Sequence, residues 1–250
     1  TLDDVLNVSS DTSFPTGYAA SFVATDGDGS ESDVFVKRDE MYQYLCNQMA
    51  KAIYQLPQDE KASYIEAIEK ASVQVWKEEF NPDAFLRVED FHALLAAKRI
   101  CRYWQLRSET FGLKRYKSLY QTGEDALRIR ELKVLQAQSI LLLPKDAEGC
   151  PVLSINGSCL EKRRHWIEAR DRCIFYMFSL LAEDDMSQTE GAVLLYKMDS
   201  PPFDSLDITF LERLASVLPL RFKAVHLLSH EPISNSVASQ INFGDENNVH

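Results

Sequence analysis

The sequence predicts an α/β protein, in which an N-terminal helical subdomain precedes a mixed or parallel sheet flanked by helices. Three observations carry this prediction. Apolar residues recur at helical spacing through residues 39–108. A hairpin signal at 140–155 marks the change to β structure. Beyond it, strand, helix and strand patterns follow one another as a βαβ unit. With 250 residues, 45% of them hydrophobic, the chain can bury a sizeable core.

Residues 1–38 are rich in Ser, Thr, Asp and Gly. They hold too little apolar surface to offset chain entropy and read as a disordered acidic leader. From Asp39, a stripe of Met41, Leu45, Met49, Ile53 and Leu56 predicts a helix that Pro57 ends. Asp59 is placed to cap a second helix, with Ile65, Ile68, Ser72, Trp76 and Phe80 on its buried side, stopping before Asn81-Pro82. A third runs from Asp90 to Ser108, with Phe91, Leu94, Leu95, Cys101 and Trp104 inward. These helices make a subdomain over 39–120, and residues 121–250 make the α/β domain.

The hairpin has an apolar run, Ile140–Pro144, an acidic turn, Lys145–Gly149, and a second run, Cys150–Ile155. Gly149 is the residue able to take positive φ there. Leu160–Asp184 follows as one long helix, charged at first and apolar on nearly every side from Cys173 to Leu181, so it must be buried all round. Gly191–Met198 reads as a buried strand. Leu206–Leu218 reads as a helix burying Phe210, Leu211, Leu214 and Leu218, closed by Pro219, and Phe222–Leu228 is a second buried strand. That unit implies parallel neighbours joined by a right-handed crossover.

Charge is unevenly spread. The net charge is −11, yet residues 1–40 hold nine acids against Lys37 and Arg38, so the acidity belongs mostly to the leader. Overall charge gives nucleic-acid binding no support. Residues 98–133 form a basic band of ten bases against four acids. Such a band could hold an anionic headgroup or a membrane surface, with Arg102, Arg107, Lys114, Arg115 and Lys117 as the candidates. Solvated helix faces with i,i+4 pairs explain it equally well.

Catalytic signatures are missing. There is no GxGxxG, Walker loop, GxSxG or HExxH. Asp26-Gly-Asp-Gly lacks the spaced ligands and closing Glu of a calcium loop. His226 and His230 would stand about 13 Å apart on one strand face, too far for one metal. Glu183, Asp184 and Asp185 read as a solvated helix end. Cys159, ahead of Lys162, Arg163 and Arg164 near a helix start, has surroundings that favour thiolate. It lacks an arginine six residues on, where His165 stands. The expectation is a non-enzyme with no catalytic residue, metal or cofactor. Five scattered cysteines without CxxC spacing fit reduced thiols in a cytoplasmic setting. No run of 18 apolar residues is present, and a start at Thr1 suggests a fragment or a processed form.

Three segments together resemble the CRAL-TRIO lipid-binding domain family, over roughly residues 40–245. Phe85-Leu-Arg-Val-Glu-Asp-Phe91, followed by Leu94 to Arg107, is similar to the family's leading helices. Asp146-Ala-Glu-Gly149-Cys-Pro151-Val152 is similar to its hairpin, and Val193–Tyr196 through Pro219 to Pro232 resembles its central βαβ unit. The resemblance implies non-catalytic binding of a lipophilic molecule in a cavity floored by the sheet, with transfer or presentation as its use. The implied location is cytoplasmic, at the periphery of membranes. Following the family's register, Leu194, Tyr196, Met198, Val225 and Leu227 would line that cavity, with Phe203 and Phe210 beside them. Core packing is the alternative for each. Lys197-Met-Asp-Ser200 departs from the family's acidic Asp-x-x-Gly, and Leu220 follows Pro219 where phosphoinositide binders carry an acid. The chain stops at His250 before the segment with their lysine, so phosphoinositide recognition is unsupported and the lipid domain is expected to be incomplete at its C-terminus. The alternative function is a protein-interaction module, a scaffold or regulator whose cavity has closed.

Overall fold

A computed structural model describes residues 31–157, 164–198 and 205–229. Helix α1 (Glu31–Gln55) begins at Glu31 rather than Asp39, so the last part of the predicted leader is helical. Met49, Ile53 and Leu56 are buried as their spacing predicts, whereas Met41 is exposed and the adjacent Tyr42 packs against the core. Helix α2 (Gln58–Lys70) has Pro57 at its N-cap, and Asp59 lies in its first turn, where it meets the positive end of the dipole without capping it.

The second helix does not run on to Phe80. Ala71 is extended, and Ser72 Oγ accepts from Val75 N (3.4 Å), a local bond that competes with helical pairing. A π-helical turn (Val75–Glu79) follows and puts Val75 into the core. Helix α3 (Pro82–Val88) opens with Asn81 Oδ1 accepting from Asp83 N, with Pro82 at its first position.

Asp90 and Phe91 then take positive φ (50° and 62°), and they end the chain's helical run before α4 (Ala93–Phe111). His92 Nδ1 accepts from Leu95 N and caps α4. Its buried stripe is Ala96, Ala97, Ile100, Cys101, Trp104, Arg107 and Phe111. Phe91, Leu94 and Leu95, expected inward, are exposed: the small Ala96 and Ala97 seat the helix, which turns the preceding leucines outward.

Helix α5 (Ile129–Gln136) leads into β1 (Ile140–Leu143), which pairs antiparallel with β2 (Val152–Asn156), Ile140 opposite Ile155 and Leu143 opposite Val152. In the turn, Asp146 Oδ1 accepts from both Glu148 N (2.9 Å) and Cys150 N (2.8 Å), and Gly149 sits at φ +84°. Helices α6 (Arg164–Ala182) and α7 (Asp185–Thr189) lead to β3 (Ala192–Met198), and α8 (Ser205–Val217) leads to β4 (Phe222–Ser229). The sheet is mixed, in the order β1-β2-β3-β4, with β2, β3 and β4 parallel.

Two crossovers of the same hand step in the same direction across this sheet, so α6 and α8 lie on one face. Their buried residues join those of α4 and the strands in one cluster that spans both halves of the chain. Ring contacts stitch it: Tyr103 and Phe111 meet Phe175 of α6 at 5.8 and 5.2 Å, and Phe178 meets Phe222 of β4 at 5.6 Å. The cluster crosses the expected boundary at residue 120, so the helical and α/β segments share a core.

Candidate functional site

Strand pairing sorts the side chains of the sheet into two sets, because directly opposed residues share a face. One face carries Ile140, Ile155, Tyr196 and Leu227 in one row, and Leu142, Leu153, Leu194 and Val225 in the next; all of these but Leu142, which is 43% exposed, belong to or pack against the core shared with the helices. The opposite face carries Leu141, Ser154, Leu195 and His226, then Leu143, Val152, Val193 and Ala224, with Asn156, Lys197 and Leu228 at its far end. On that face Cys150, Val152 and Val193 form a small separate cluster with Met186 and Leu195. Leu141, Leu143 and Leu228 remain 37%, 38% and 49% exposed.

The residues expected to line a cavity fall on the helical side. Leu194, Tyr196 and Val225 are buried in the main core, and Leu227 and Phe210 pack against it. They contact this chain's own helices, so the open face is lined by the alternate residues. A shift of one position along a strand exchanges the two sets, which is why alternation alone could not choose between them. Phe203 and the side chain of Met198 lie outside the described residues. So do Cys159, the His165 side chain, His230 and the Asp26-Gly-Asp-Gly segment.

The five candidate anion-contacting residues also divide. Arg107 is fully buried: its guanidinium donates to Glu79 Oε2 (2.9 Å), Tyr103 Oη (2.7 Å), Arg115 O (2.8 Å) and Lys117 O (2.8 Å). It therefore holds the turn after α4 and faces no membrane. Arg115 donates to Glu66 Oε1 (3.0 Å) and lies over the Tyr116 ring, while Lys114 donates to Glu124 O (2.6 Å). Arg115, Lys70 and Tyr116 together hold the Glu66 carboxyl down to about 2, with the bond from Lys70 the largest cause. Arg102 and Lys117 are exposed.

Sequence reasoning missed the joints between the two halves. Arg99 donates to Ala215 O (3.0 Å) and Leu218 O (2.8 Å) at the C-terminus of α8, and to Glu89 (2.5 Å). Arg221 reaches back to Val88 O (2.8 Å) and Asp90 Oδ1 (2.6 Å). Arg172 of α6 donates to Thr110 O (2.9 Å) and Glu131 Oε1 (3.0 Å). Arg99 and Arg107 of the basic band, like Arg172 and Arg221 outside it, are therefore spent on carbonyls and carboxylates that no local spacing reveals.

Burial disfavours the thiolate at three of the described cysteines. Cys101 is pushed up to about 12 by burial, and burial also raises Cys46 and Cys173. Asp184 accepts from Met186 N to cap α7 and pairs with Lys145 at 2.6 Å, so the acidic helix end has structural work. Among the described residues no group of three His, Cys, Asp or Glu side chains could hold a metal ion. None of the described helices is long and apolar enough to cross a membrane. No protein-family model matches the chain, and no curated protein matches it.

Proposed function

We propose that the protein binds one small lipophilic molecule without transforming it, against the sheet face that turns away from the helices. The supporting observation is the register. It gathers Leu141, Leu143, Val152, Val193, Leu195 and Leu228 on one side, opposite both crossover helices. A sheet with parallel strands needs cover on both faces. A lipid is the cover that the resemblance to the CRAL-TRIO family implies, with Ser154 and His226 as polar points amid the apolar rows. Transfer between membranes or presentation to a partner would be the use of such binding. Docking on an anionic membrane would fall to Arg102 and Lys117, since Arg107 is committed to the core.

A second reading is a protein-interaction module. It draws on the filled helical side, where Tyr196 and Phe210 pack into the core, and on the exposed leucines of β1, an edge strand whose described partner is β2 alone. An apolar strand of a partner protein could add to that edge.

The two readings separate on one preparation. Mass spectrometry of an organic extract from the purified full chain, expressed in a lipid-rich host, is expected to give one lipid per chain. Leu195→Trp, which fills the open face, should lower occupancy at least fivefold while leaving the fold intact. Well-folded protein with only the apo mass would overturn the lipid reading and favour the interaction module.

A further inference from the structure

Away from the sheet's open face, a cleft of about 790 Å³ lies between the loop at 123–128, helix α5 and the start of α6. Lys114, Arg128, Arg130, Lys133 and Arg172 line it, with Glu124, Glu131, Ile129 and Trp166. Its base is neutralised and fixed. Glu131 is 1% exposed, accepts from Arg128 N (3.0 Å) through one oxygen and from Arg172 Nη1 (3.0 Å) through the other. With that pair cancelled, the described walls carry Lys114, Arg128 and Lys133, and Arg130 with a partner of its own, against the exposed Glu124. The loop is held too. Thr122 Oγ1 donates to Asp125 Oδ2 (2.7 Å), Lys114 Nζ donates to Glu124 O, and Gly123 bridges to Arg128.

The excess of positive charge over a concave surface concentrates anions, and the N-terminal end of α5 adds to it. Fork-shaped guanidinium groups bind carboxylate and phosphate bidentately, and a phosphate has more oxygens and more charge to share among several cations. Ile129 and Trp166 give the same cleft an apolar wall, on which the organic part of a ligand can lie. The volume is within the range of small-molecule sites.

We propose that this cleft binds a phosphate monoester, with the phosphate between Arg128, Arg130 and Lys133 and its organic body against Trp166 and Ile129. The phosphate can come from a soluble ester or from a lipid headgroup, and the chemistry of recognition is the same. The site does not depend on the sheet-face reading, because Leu195→Trp should leave it unchanged.

Trp166 supplies the readout, since Trp104 is fully buried and Trp76 packs in the same aromatic cluster. The full chain would be titrated with glycerol 3-phosphate, with glycerol as the neutral control. In parallel it would be titrated with phosphatidylcholine vesicles with and without phosphatidic acid. A saturable fluorescence change is expected with one or both phosphate probes, absent with glycerol and in Trp166→Phe. The double variant Arg130→Ala/Lys133→Ala changes exposed side chains and should weaken binding at least tenfold, and added salt should weaken it further. A response to glycerol 3-phosphate identifies a soluble ester, and one confined to phosphatidic acid identifies a headgroup. The proposal fails if neither probe gives a saturable change, or if the double variant binds as tightly as the parent.

Discussion

Arg107 gives the most quantitative test of how the basic band is used. Its side chain has no exposure, makes the four bonds described above, and has its guanidinium 5.3 Å from the Trp104 ring centroid. Arg107→Met keeps much of the volume and removes the charge, which leaves Glu79 with Leu119 N (2.7 Å) as its remaining partner among the described residues. Breaking a buried pair by deleting one partner costs about 3–5 kcal/mol, because the remaining charge stays desolvated. With an m-value of about 2 kcal/mol/M in urea, the midpoint should fall by about 1.5–2.5 M. Adding Glu79→Gln removes the stranded charge and keeps the acceptor for Leu119 N, so the double variant should be more stable than Arg107→Met alone. Arg102→Ala, one and a half turns away on the exposed side of α4, should stay within about 0.5 kcal/mol of the parent. A cost below about 1 kcal/mol for Arg107→Met would refute the buried-pair argument. So would a double variant no better than the single one.

Two glycines separate conformational from steric cost. Gly149 (φ +84°) has open space where a Cβ would stand, so Gly149→Ala should cost about 1–2 kcal/mol from backbone strain alone. Gly191 (φ +100°) has Lys223 N only 2.6 Å from that position, so Gly191→Ala must also part β3 from β4 and should cost clearly more by urea denaturation; equal costs would count against the close approach. Burial pushes the Asp83 carboxyl from 3.8 up to about 6, with Arg87 opposing. The folded state therefore holds the proton more tightly: the stabilisation is complete below pH 3.8 and disappears as pH rises through about 6. Asp83→Asn should be near neutral at pH 3 and stabilising by about 1–3 kcal/mol at pH 7, and an unchanged difference between the two pH values would argue against a buried carboxylate there.

The α/β half was largely legible in the sequence because each of its elements carries its own local signal. The hairpin rests on Asp146 and Gly149, and the βαβ unit rests on short apolar runs bounded by Gly191 and Pro219. The helical half was less legible at its breaks. Ser72 diverts a backbone donor, and Asp90 and Phe91 adopt a conformation that their residue types seldom take, so no pattern announces the stops. The faces of the sheet lay beyond reach for a different reason. Leu194 and Leu195 are chemically alike, and only the hand and direction of two crossovers decide which of them meets a helix. Arg107 and Arg99 were indistinguishable from Arg102 as letters. Their roles depend on partners at Glu79, Lys117, Ala215 and Leu218, brought near by tertiary packing.

The joints between the two halves share one chemical trait. Arg99, Arg221 and Arg172 donate to the main-chain carbonyls of Ala215, Leu218, Val88 and Thr110. A guanidinium stays charged throughout the range in which proteins live, and a peptide oxygen has no proton to gain. Seams built on histidine, or on carboxylates alone, loosen in mild acid, whereas these contacts have nothing to titrate. Acidification would therefore leave these four carbonyl contacts between the helical and α/β halves in place.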